Sequence, residues 1–283
     1  MPRPSSAEVM EFHGMPAIRW RSGDGASAIA ALQGAQLLSW VPPRAEECLY
    51  LSSRSAFERG RPIRGGIPVV FPQFADRGPL SQHGFARTQA WSLTSASESE
   101  LGSEVIFALE SSPQSLALWP GVFRLELIIA IGGPRLDVQF RVTNTGKGGF
   151  AFAAALHTYL RVSEAASARL EGLRGTRYMN RGDGATGTEA REIVTAEEPI
   201  DRVYLATPPA TRLEDAGRIL RIEQRGFTDT VVWNPGRKGT SQMPDMPPDG
   251  FRHMLCVEAA AIEPPVSLNP GAVWDGGQSL ELI

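Results

Sequence analysis

Along much of the chain, apolar and polar residues alternate with a period of two, the pattern of strands that bury one face. Residues 134–144 show it most clearly, with four apolar side chains separated by charged or amide ones. Similar or mostly apolar runs predict further strands at residues 122–131, 219–224, 230–233 and 254–262. The helical pattern is weak, and we expect a turn or two of helix only at residues 53–59 and 113–119.

Glycine and proline mark many turns between these runs, since 29 Gly and 22 Pro are spread through the 283 residues. Many strands, few helices and no break in composition predict one large antiparallel β-sandwich domain, an all-β fold spanning residues 1–283. Residues 182–187, GDGATG, match the glycine spacing of a dinucleotide-binding loop, but they follow a polar segment rather than an apolar strand. An ordinary turn is therefore predicted there.

Composition argues against several classes of protein. The formal net charge of −3 does not suit a surface for nucleic acid or anionic membranes, where basic residues are in excess. No apolar run approaches the roughly 20 residues of a transmembrane helix, and residues 1–14 lack the apolar stretch of a secretory signal. Cys48 and Cys256 are too few for a disulfide framework, which fits a reducing cytoplasm. The four histidines form no local ligand cluster, so no structural metal is predicted.

Three segments place unusual polar groups in apolar or glycine-rich surroundings: residues 61–87, 150–161 and 254–261. In the last, Met254–Ala261, alternation puts Cys256 and Glu258 on one face and apolar residues on the other. Both faces are apolar apart from Glu258, so the strand is expected to be covered on both sides. A carboxylate in such a place is unfavourable unless it is paired or used.

His157 raises the same question, because Ala153 and Ala155 share its predicted face and leave space beside the imidazole. Taken alone, a buried histidine is more often a satisfied core residue than a functional one. A buried glutamate is structural about as often as functional. Two such groups beside small residues favour a shared cleft, although the sequence does not show that they meet.

Six short motifs, in this order along the chain, carry a family resemblance: RPIRGGIPVVFPQF, QHGFAR, ALHTYL, EEPIDRVY, VVWNPGRK and CVEAAAI. Together they resemble the hexose-6-phosphate mutarotases, a branch of the aldose 1-epimerase family, from about residue 34 to residue 274. The resemblance implies a sugar cleft across one sheet of the β-sandwich. It also implies interconversion of the α and β anomers of an aldohexose 6-phosphate, glucose 6-phosphate first among them, without metal or organic cofactor. A cytoplasmic monomer is expected, with a small-molecule sugar phosphate as its partner and neither nucleic acid nor membrane.

The resemblance also assigns roles to individual residues. His157 of ALHTYL resembles the general acid, and Glu258 of CVEAA resembles the general base. The substrate-binding residues that it implies are Arg64, Gln82, His83, Arg87 and Asp201. Within that set, the arginines would hold the phosphate and Asp201 the sugar hydroxyls, while His83 would line the cleft. One departure from the family is Gly236, where relatives often carry a bulky aromatic residue in the wall of the cleft.

The chemistry suits these residue types. Anomer exchange needs a base for the proton of the C1 hydroxyl and an acid for the ring oxygen, which a carboxylate and an imidazolium on opposite sides of the sugar would supply. The planar fork of arginine suits a phosphate. Arg64 precedes two glycines, where the backbone can approach a ligand closely.

Simpler interpretations stay open at this point. Arg64 and Arg87 could be solvated surface residues, and Asp201 could be a turn residue. Trp233 and the two cysteines could be plain core residues. Two other functions also remain: an aldose 1-epimerase for unphosphorylated sugar, and a noncatalytic sugar-phosphate sensor on the same fold.

Overall fold

The computed structural model describes residues 7–99 and 102–283. Strands dominate, and in these residues each pair of neighbouring strands runs antiparallel. The first ten strands are β1 (Glu8–Phe12), β2 (Met15–Arg21), β3 (Ser27–Ala31), β4 (Leu37–Val41), β5 (Val69–Val70), β6 (Ser92–Ser99), β7 (Gly102–Glu110), β8 (Phe123–Gly132), β9 (Arg135–Asn144) and β10 (Phe150–Leu156). The others are β11 (Tyr159–Arg161), β12 (Arg169–Glu171), β13 (Arg177–Asn180), β14 (Thr186–Thr188), β15 (Ile193–Val194), β16 (Ile200–Leu205), β17 (Ala210–Asp215), β18 (Arg218–Arg225), β19 (Asp229–Asn234), β20 (Met254–Leu268) and β21 (Val273–Leu282).

The strands form three sheets. Strands β1–β4 make a four-stranded sheet in chain order. A nine-stranded sheet has the order β15-β12-β17-β18-β21-β9-β8-β7-β6. An eight-stranded sheet has the order β14-β13-β16-β19-β20-β10-β5, and β11 pairs with β20 beside β10. This is the large antiparallel β-sandwich that the alternation predicted, and that prediction is confirmed.

The main hydrophobic core joins the large sheets. In β8 and β9 the buried and half-buried positions alternate strictly, as expected for strands with one face in a core. The buried residues of β8, from Phe123 to Ile131, belong to the same cluster as Leu255, Val257 and Ala259 of β20. The predicted strand at residues 254–262 is buried at every position, which confirms that it is covered on both faces. Its second face carries the site described below.

Helices are short. The predicted turn of helix at residues 113–119 forms α1 (Pro113–Leu118), which the Ser112 side chain caps. The prediction at residues 53–59 is wrong, because that segment is irregular. There the Ser55 hydroxyl accepts from the Arg64 amide at 2.7 Å, and Phe57 has a φ of 36°, so local polar contacts replace a helix. Helical elements that the sequence did not predict are α2 (Gly236–Thr240) and 3-10 helices at Ala86–Thr88 and Gly250–His253.

Two expectations concern the surface and the start of the chain. Residues 182–185 connect β13 to β14 in a turn, as predicted, whereas residues 186 and 187 already belong to β14. Among the described residues, no helix has the length and apolar character needed to cross a bilayer. Residues 1–6 of the segment considered for a secretory signal lie outside the described residues.

Candidate active site

The two residues proposed to transfer protons face each other across neighbouring strands. Leu156 pairs with Ala259 in β10 and β20, and Tyr159 pairs with Cys256 in β11 and β20. The same antiparallel register, continued through the break between β10 and β11, sets His157 opposite Glu258. Their side chains touch, with His157 Nδ1 3.2 Å from Glu258 Oε1. The strand register thus brings together two groups that are about a hundred residues apart in the chain.

Both groups are buried and incompletely paired. His157 is 7% exposed and Glu258 is 1% exposed. Their 3.2 Å approach lacks the alignment of a hydrogen bond, and within the described part of the chain His157 Nδ1 and Glu258 Oε2 have no hydrogen-bond partner. Leaving a buried polar atom unpaired costs about 1–3 kcal/mol. Such unpaired groups are characteristic of functional sites rather than of structural ion pairs.

Burial also sets the charge of the pair. Burial lowers the pKa of His157 well below its usual value, and the nearby His83 and Arg87 lower it further. Burial raises the pKa of Glu258 well above its usual value, against an opposing effect of Arg181. The free pair therefore favours a neutral imidazole beside a protonated carboxyl group, with one transferable proton between them.

Aromatic rings hold the imidazole in place. His157 stacks on Tyr159 with ring centroids 4.7 Å apart and an interplanar angle of 8°. The ring of His83 meets it edge-on at 5.3 Å, and that of Trp233 at 6.0 Å. These contacts fix the orientation of His157, which a proton-transfer group requires.

Five of the predicted site residues line one cavity of about 330 Å³: Arg64, Gln82, His83, Arg87 and His157. Three arginines, Arg61, Arg64 and Arg87, line this cavity together with the carboxylate of Asp245. Arg64 and Arg87 are both half-buried, which argues against two solvated surface arginines.

Arg64 is held at both ends of its guanidinium group. Nε and Nη2 donate to the Asp245 carboxylate at 3.1 and 3.2 Å, and Nη1 donates to the Tyr159 hydroxyl at 3.2 Å. Burial opposes the charge of Arg64, but Tyr159 and Asp245 outweigh it and hold the pKa of Arg64 above its usual value. In the free protein, a carboxylate therefore already balances the charge of Arg64.

The two glycines after Arg64 are required by close packing of the backbone rather than by a ligand. Gly65 and Gly66 have φ values of 116° and 63°, and a Cβ at either position would collide with backbone carbonyl oxygens of Tyr50 or Leu37. Glycine is therefore required for two backbone segments to pass closely. The expected close approach is present, but the approaching group is protein backbone.

Arg87 is differently placed. Its Nη2 donates to the Gln82 carbonyl oxygen at 2.8 Å, and its Nε has no hydrogen-bond partner in the described part of the chain. None of the carboxylates in the described residues lies within ion-pair distance of it. Burial and the neighbouring Arg64 lower its pKa. Arg87 thus presents the less compensated positive charge of the cavity, while exposed Gln82 helps to position it through its backbone.

His83 acts as a neutral polar group. It has a φ of 67°, and its Nδ1 accepts from the Ala75 amide at 3.3 Å, which leaves the proton on Nε2. Burial and the positive charge of Arg87 and Arg181 lower its pKa to about 3. At neutral pH His83 is therefore an uncharged hydrogen-bond donor at the cavity.

Asp201 lies next to this cavity rather than in its wall. It pairs with Trp233 across β16 and β19, and both line a second cavity of about 650 Å³. Its Oδ1 lies 3.6 Å from Arg181 Nη1 but has no hydrogen-bond partner among residues 7–99 and 102–283, and burial raises its pKa. Met243 borders both cavities, so the two are neighbours.

Residues of the site that the sequence did not predict include Tyr159, Met243 and Asp245. Alternation from His157 could have indicated Tyr159, two residues along the same face. Met243 and Asp245 lie in a proline-rich connection, and no sequence pattern marked them. Gly236, at the start of α2, has a φ of 61°, and a Cβ there would approach Pro199 Cγ to 2.6 Å. Pro199 therefore occupies the space in which a side chain at position 236 would lie.

A family model described as "Aldose 1-epimerase" matches residues 16–281. The chain belongs to the aldose 1-epimerase family. Several relatives carry the name "Putative glucose-6-phosphate 1-epimerase". The one from Cenchrus ciliaris is 34% identical over 294 residues, covering 100% of this chain and 89% of the relative. The one from Escherichia coli is 36% identical over 239 residues, covering 81% and 78%. By this membership the protein is a sugar epimerase of the mutarotase type, as the motifs predicted.

Solved structures of mutarotase-like proteins also resemble this chain. A crystal structure described as a "putative mutarotase" from Salmonella typhimurium superposes with a TM-score of 0.91 at 30% identity, covering 98% of this chain and 93% of the other. A galactose mutarotase-like protein from Clostridium acetobutylicum gives a TM-score of 0.78 at 16% identity, covering 99% and 98%. The second comparison shows the shared fold.

Proposed function

We propose that this protein interconverts the α and β anomers of an aldohexose 6-phosphate, with glucose 6-phosphate as its substrate. The observation that carries the proposal is the contact between His157 and Glu258 beside a cavity that contains Arg64 and Arg87. The names of the relatives from Cenchrus ciliaris and Escherichia coli support the same substrate. The arginine pair favours a phosphorylated sugar over an unphosphorylated one, because a neutral sugar has no group that needs two guanidinium groups.

In the proposed reaction, one group takes the proton of the C1 hydroxyl while the other protonates the ring oxygen. The ring opens, the C1–C2 bond rotates, and the C5 hydroxyl attacks the other face of the carbonyl. No proton is gained or lost overall, so a pair that holds one proton is sufficient.

The structure changes one part of the mechanism expected from the sequence. The acid and the base were expected on opposite sides of the sugar, but His157 and Glu258 lie side by side at 3.2 Å. Side-by-side groups suit the reaction because the C1 hydroxyl oxygen and the ring oxygen are both bonded to C1. We therefore place that edge of the sugar against the pair.

The neutral pair must become an ion pair for Glu258 to act as base and His157 as acid. Transfer of the shared proton from Glu258 to His157 produces that state without any proton from solvent. A phosphate dianion in the arginine cavity would stabilise the imidazolium, since a nearby negative charge raises the pKa of a histidine. Substrate binding thus favours the charge state that the chemistry needs.

We assign the phosphate to Arg87 and Arg64. Within the described residues Arg87 has no carboxylate partner, whereas the phosphate would share Arg64 with Asp245. His83 can donate a further hydrogen bond from Nε2. Asp201 and Trp233, in the neighbouring cavity, would contact the sugar hydroxyls and one face of the ring.

Freshly dissolved α-glucose 6-phosphate, followed by NMR with and without the protein, tests the proposal, and glucose serves as the control. We expect faster appearance of the β anomer with the phosphate ester and little acceleration with glucose. Equal acceleration of both would indicate an aldose 1-epimerase for unphosphorylated sugar. Binding of the ester without acceleration would indicate a sensor.

A further inference from the structure

A second chemical property of the site comes from a residue that proton transfer does not use. Cys256 lies on the same face of β20 as Glu258, two residues away. His157, Cys256 and Glu258 each offer one ligand atom, and these atoms lie within 4.8 Å of one another. All three residues are buried, and His157 Nδ1 and Glu258 Oε2 have no hydrogen-bond partner among the described residues.

Imidazole, carboxylate and thiolate are the ligands that Zn²⁺ takes in proteins, with bonds of about 2.0–2.3 Å. Ligand atoms around a tetrahedral Zn²⁺ then lie roughly 3.3–3.8 Å apart. The ligand atoms would need to approach one another by roughly 1–1.5 Å at most, which small changes of the side-chain dihedral angles can provide. His157 lines the cavity, and a water on that side would supply the fourth ligand.

The positive charges near the three ligand residues limit which metal ions would bind. Arg87 and Arg181 act on Glu258 and oppose any cation there. A hard cation such as Mg²⁺ gains little from a sulfur ligand and retains its water. A thiophilic cation gains a covalent metal–sulfur bond once the Cys256 proton has left to solvent.

We infer that His157, Cys256 and Glu258 form an inhibitory binding site for thiophilic divalent cations such as Zn²⁺. The cation would bind the imidazole nitrogen, the thiolate sulfur and a carboxylate oxygen, and would release the Cys256 proton and the proton shared by the other two residues. It would thereby occupy both lone pairs needed for proton transfer, which makes it an inhibitor rather than a cofactor. The inhibition rests on the proposed function, whereas the binding does not.

Binding is tested without any assay of activity. The whole protein is treated with a chelator and then titrated with Co²⁺, which substitutes for Zn²⁺ and gives a thiolate-to-metal absorption band in the near ultraviolet. Wild type and Cys48→Ala should show the band, because Cys48 is a buried cysteine outside the cluster. Cys256→Ala should lack it. A band that survives in Cys256→Ala, or no band in wild type, would overturn the site.

Inhibition is tested by anomer exchange with increasing Zn²⁺. Wild type and Cys48→Ala should be inhibited, with recovery on adding chelator, and Mg²⁺ should have no effect. Cys256→Ala should keep most of its activity and need roughly tenfold or more Zn²⁺ for the same inhibition, since one ligand is lost. Cys256→Ser provides a second variant if the alanine protein does not fold. Unchanged sensitivity of a folded Cys256 variant contradicts the inference, and if wild type lacks activity the Co²⁺ band still decides the binding.

Discussion

At the scale of single residues, the contact between His157 and Glu258 leads to the most specific predictions. Glu258→Gln keeps the shape of the side chain but removes the base, so the exchange rate should fall by about 10²- to 10⁴-fold while sugar-phosphate binding persists. His157→Asn should behave in the same way. NMR exchange rates together with a binding titration measure both effects.

Glu263→Gln is the matched control, because Glu263 lies further along β20 and forms a surface ion pair with Arg77 at 3.1 Å. It should exchange anomers at the wild-type rate. If Glu258→Gln does so as well, the base is assigned to the wrong residue. An unfolded His157 variant would point to a structural role for the imidazole.

The charge state of the pair predicts a bell-shaped pH profile. Burial lowers the pKa of His157 and raises the pKa of Glu258, and both shifts favour the form of the pair that holds a single proton. At acid pH a second proton removes the base, and at alkaline pH loss of the last proton removes the acid. The acid limb of kcat/KM should therefore lie below the usual histidine pKa of roughly 6.5, and the alkaline limb above the usual glutamate pKa of roughly 4.3.

Measurement of kcat/KM from acid to alkaline pH checks this bell-shaped profile, with the fold monitored by circular dichroism at each pH. A profile with a single limb, in protein that stays folded, would mean that one titrating group suffices. The two apparent pKa values belong to the coupled pair and not to either residue alone.

The two arginines should differ in their effect on selectivity. Asp245 neutralises Arg64, whereas Arg87 has no carboxylate partner in the part of the chain that the structure describes. Arg87→Ala should therefore lower kcat/KM for glucose 6-phosphate more than Arg64→Ala does. The loss expected for Arg87→Ala is roughly 10- to 100-fold, the equivalent of one charge-assisted hydrogen bond of about 1.5–3 kcal/mol. Reaction with glucose should change little.

Steady-state rates for both sugars on both variants give the ratio of kcat/KM for glucose 6-phosphate to kcat/KM for glucose. Arg252→Ala serves as the control, since Arg252 pairs with Glu164 at the surface and should leave the ratio unchanged. If both variants keep the wild-type ratio, the two arginines do not form the phosphate site.

At the scale of elements, the close passage of backbone after Arg64 predicts a loss of stability. Gly66→Ala combines a positive φ with a collision against the Leu37 carbonyl, so unfolding should become easier by about 1–3 kcal/mol or more. Gly133→Ala is the matched control, with a φ of 55° and no atom within 4 Å of the added Cβ. Urea unfolding of both variants separates the collision from the dihedral effect, and equal losses would contradict the collision.

The elements also show what the sequence could predict. Alternation located β8, β9 and β20 because their faces meet a core on at least one side. It also placed Cys256 and Glu258 on one face of β20, which the structure confirms. It failed at residues 53–59, where serine hydroxyls and a positive φ decide the backbone. Asp245 could not be predicted, because its pairing with Arg64 depends on a fold that joins positions 181 residues apart.

At the scale of the whole molecule, the register of β20 with its neighbours assembles the site. Motifs that are scattered along the chain converge because the eight-stranded sheet orders its strands β16-β19-β20-β10. The fold and the family could be recognised from the sequence, while the side-by-side arrangement of His157 and Glu258 could not. Family motifs identify residues, but only the strand register gives the distance between them.

The exchange rate between the anomeric proton signals of glucose 6-phosphate at equilibrium tests the central claim most directly. Wild type should transfer magnetisation between the α and β signals much faster than buffer alone, and Glu258→Gln should reduce that transfer to near the buffer rate. The same sample containing glucose should show little added exchange. If wild-type protein that binds glucose 6-phosphate leaves the exchange at the buffer rate, His157 and Glu258 are not an acid–base pair for this sugar.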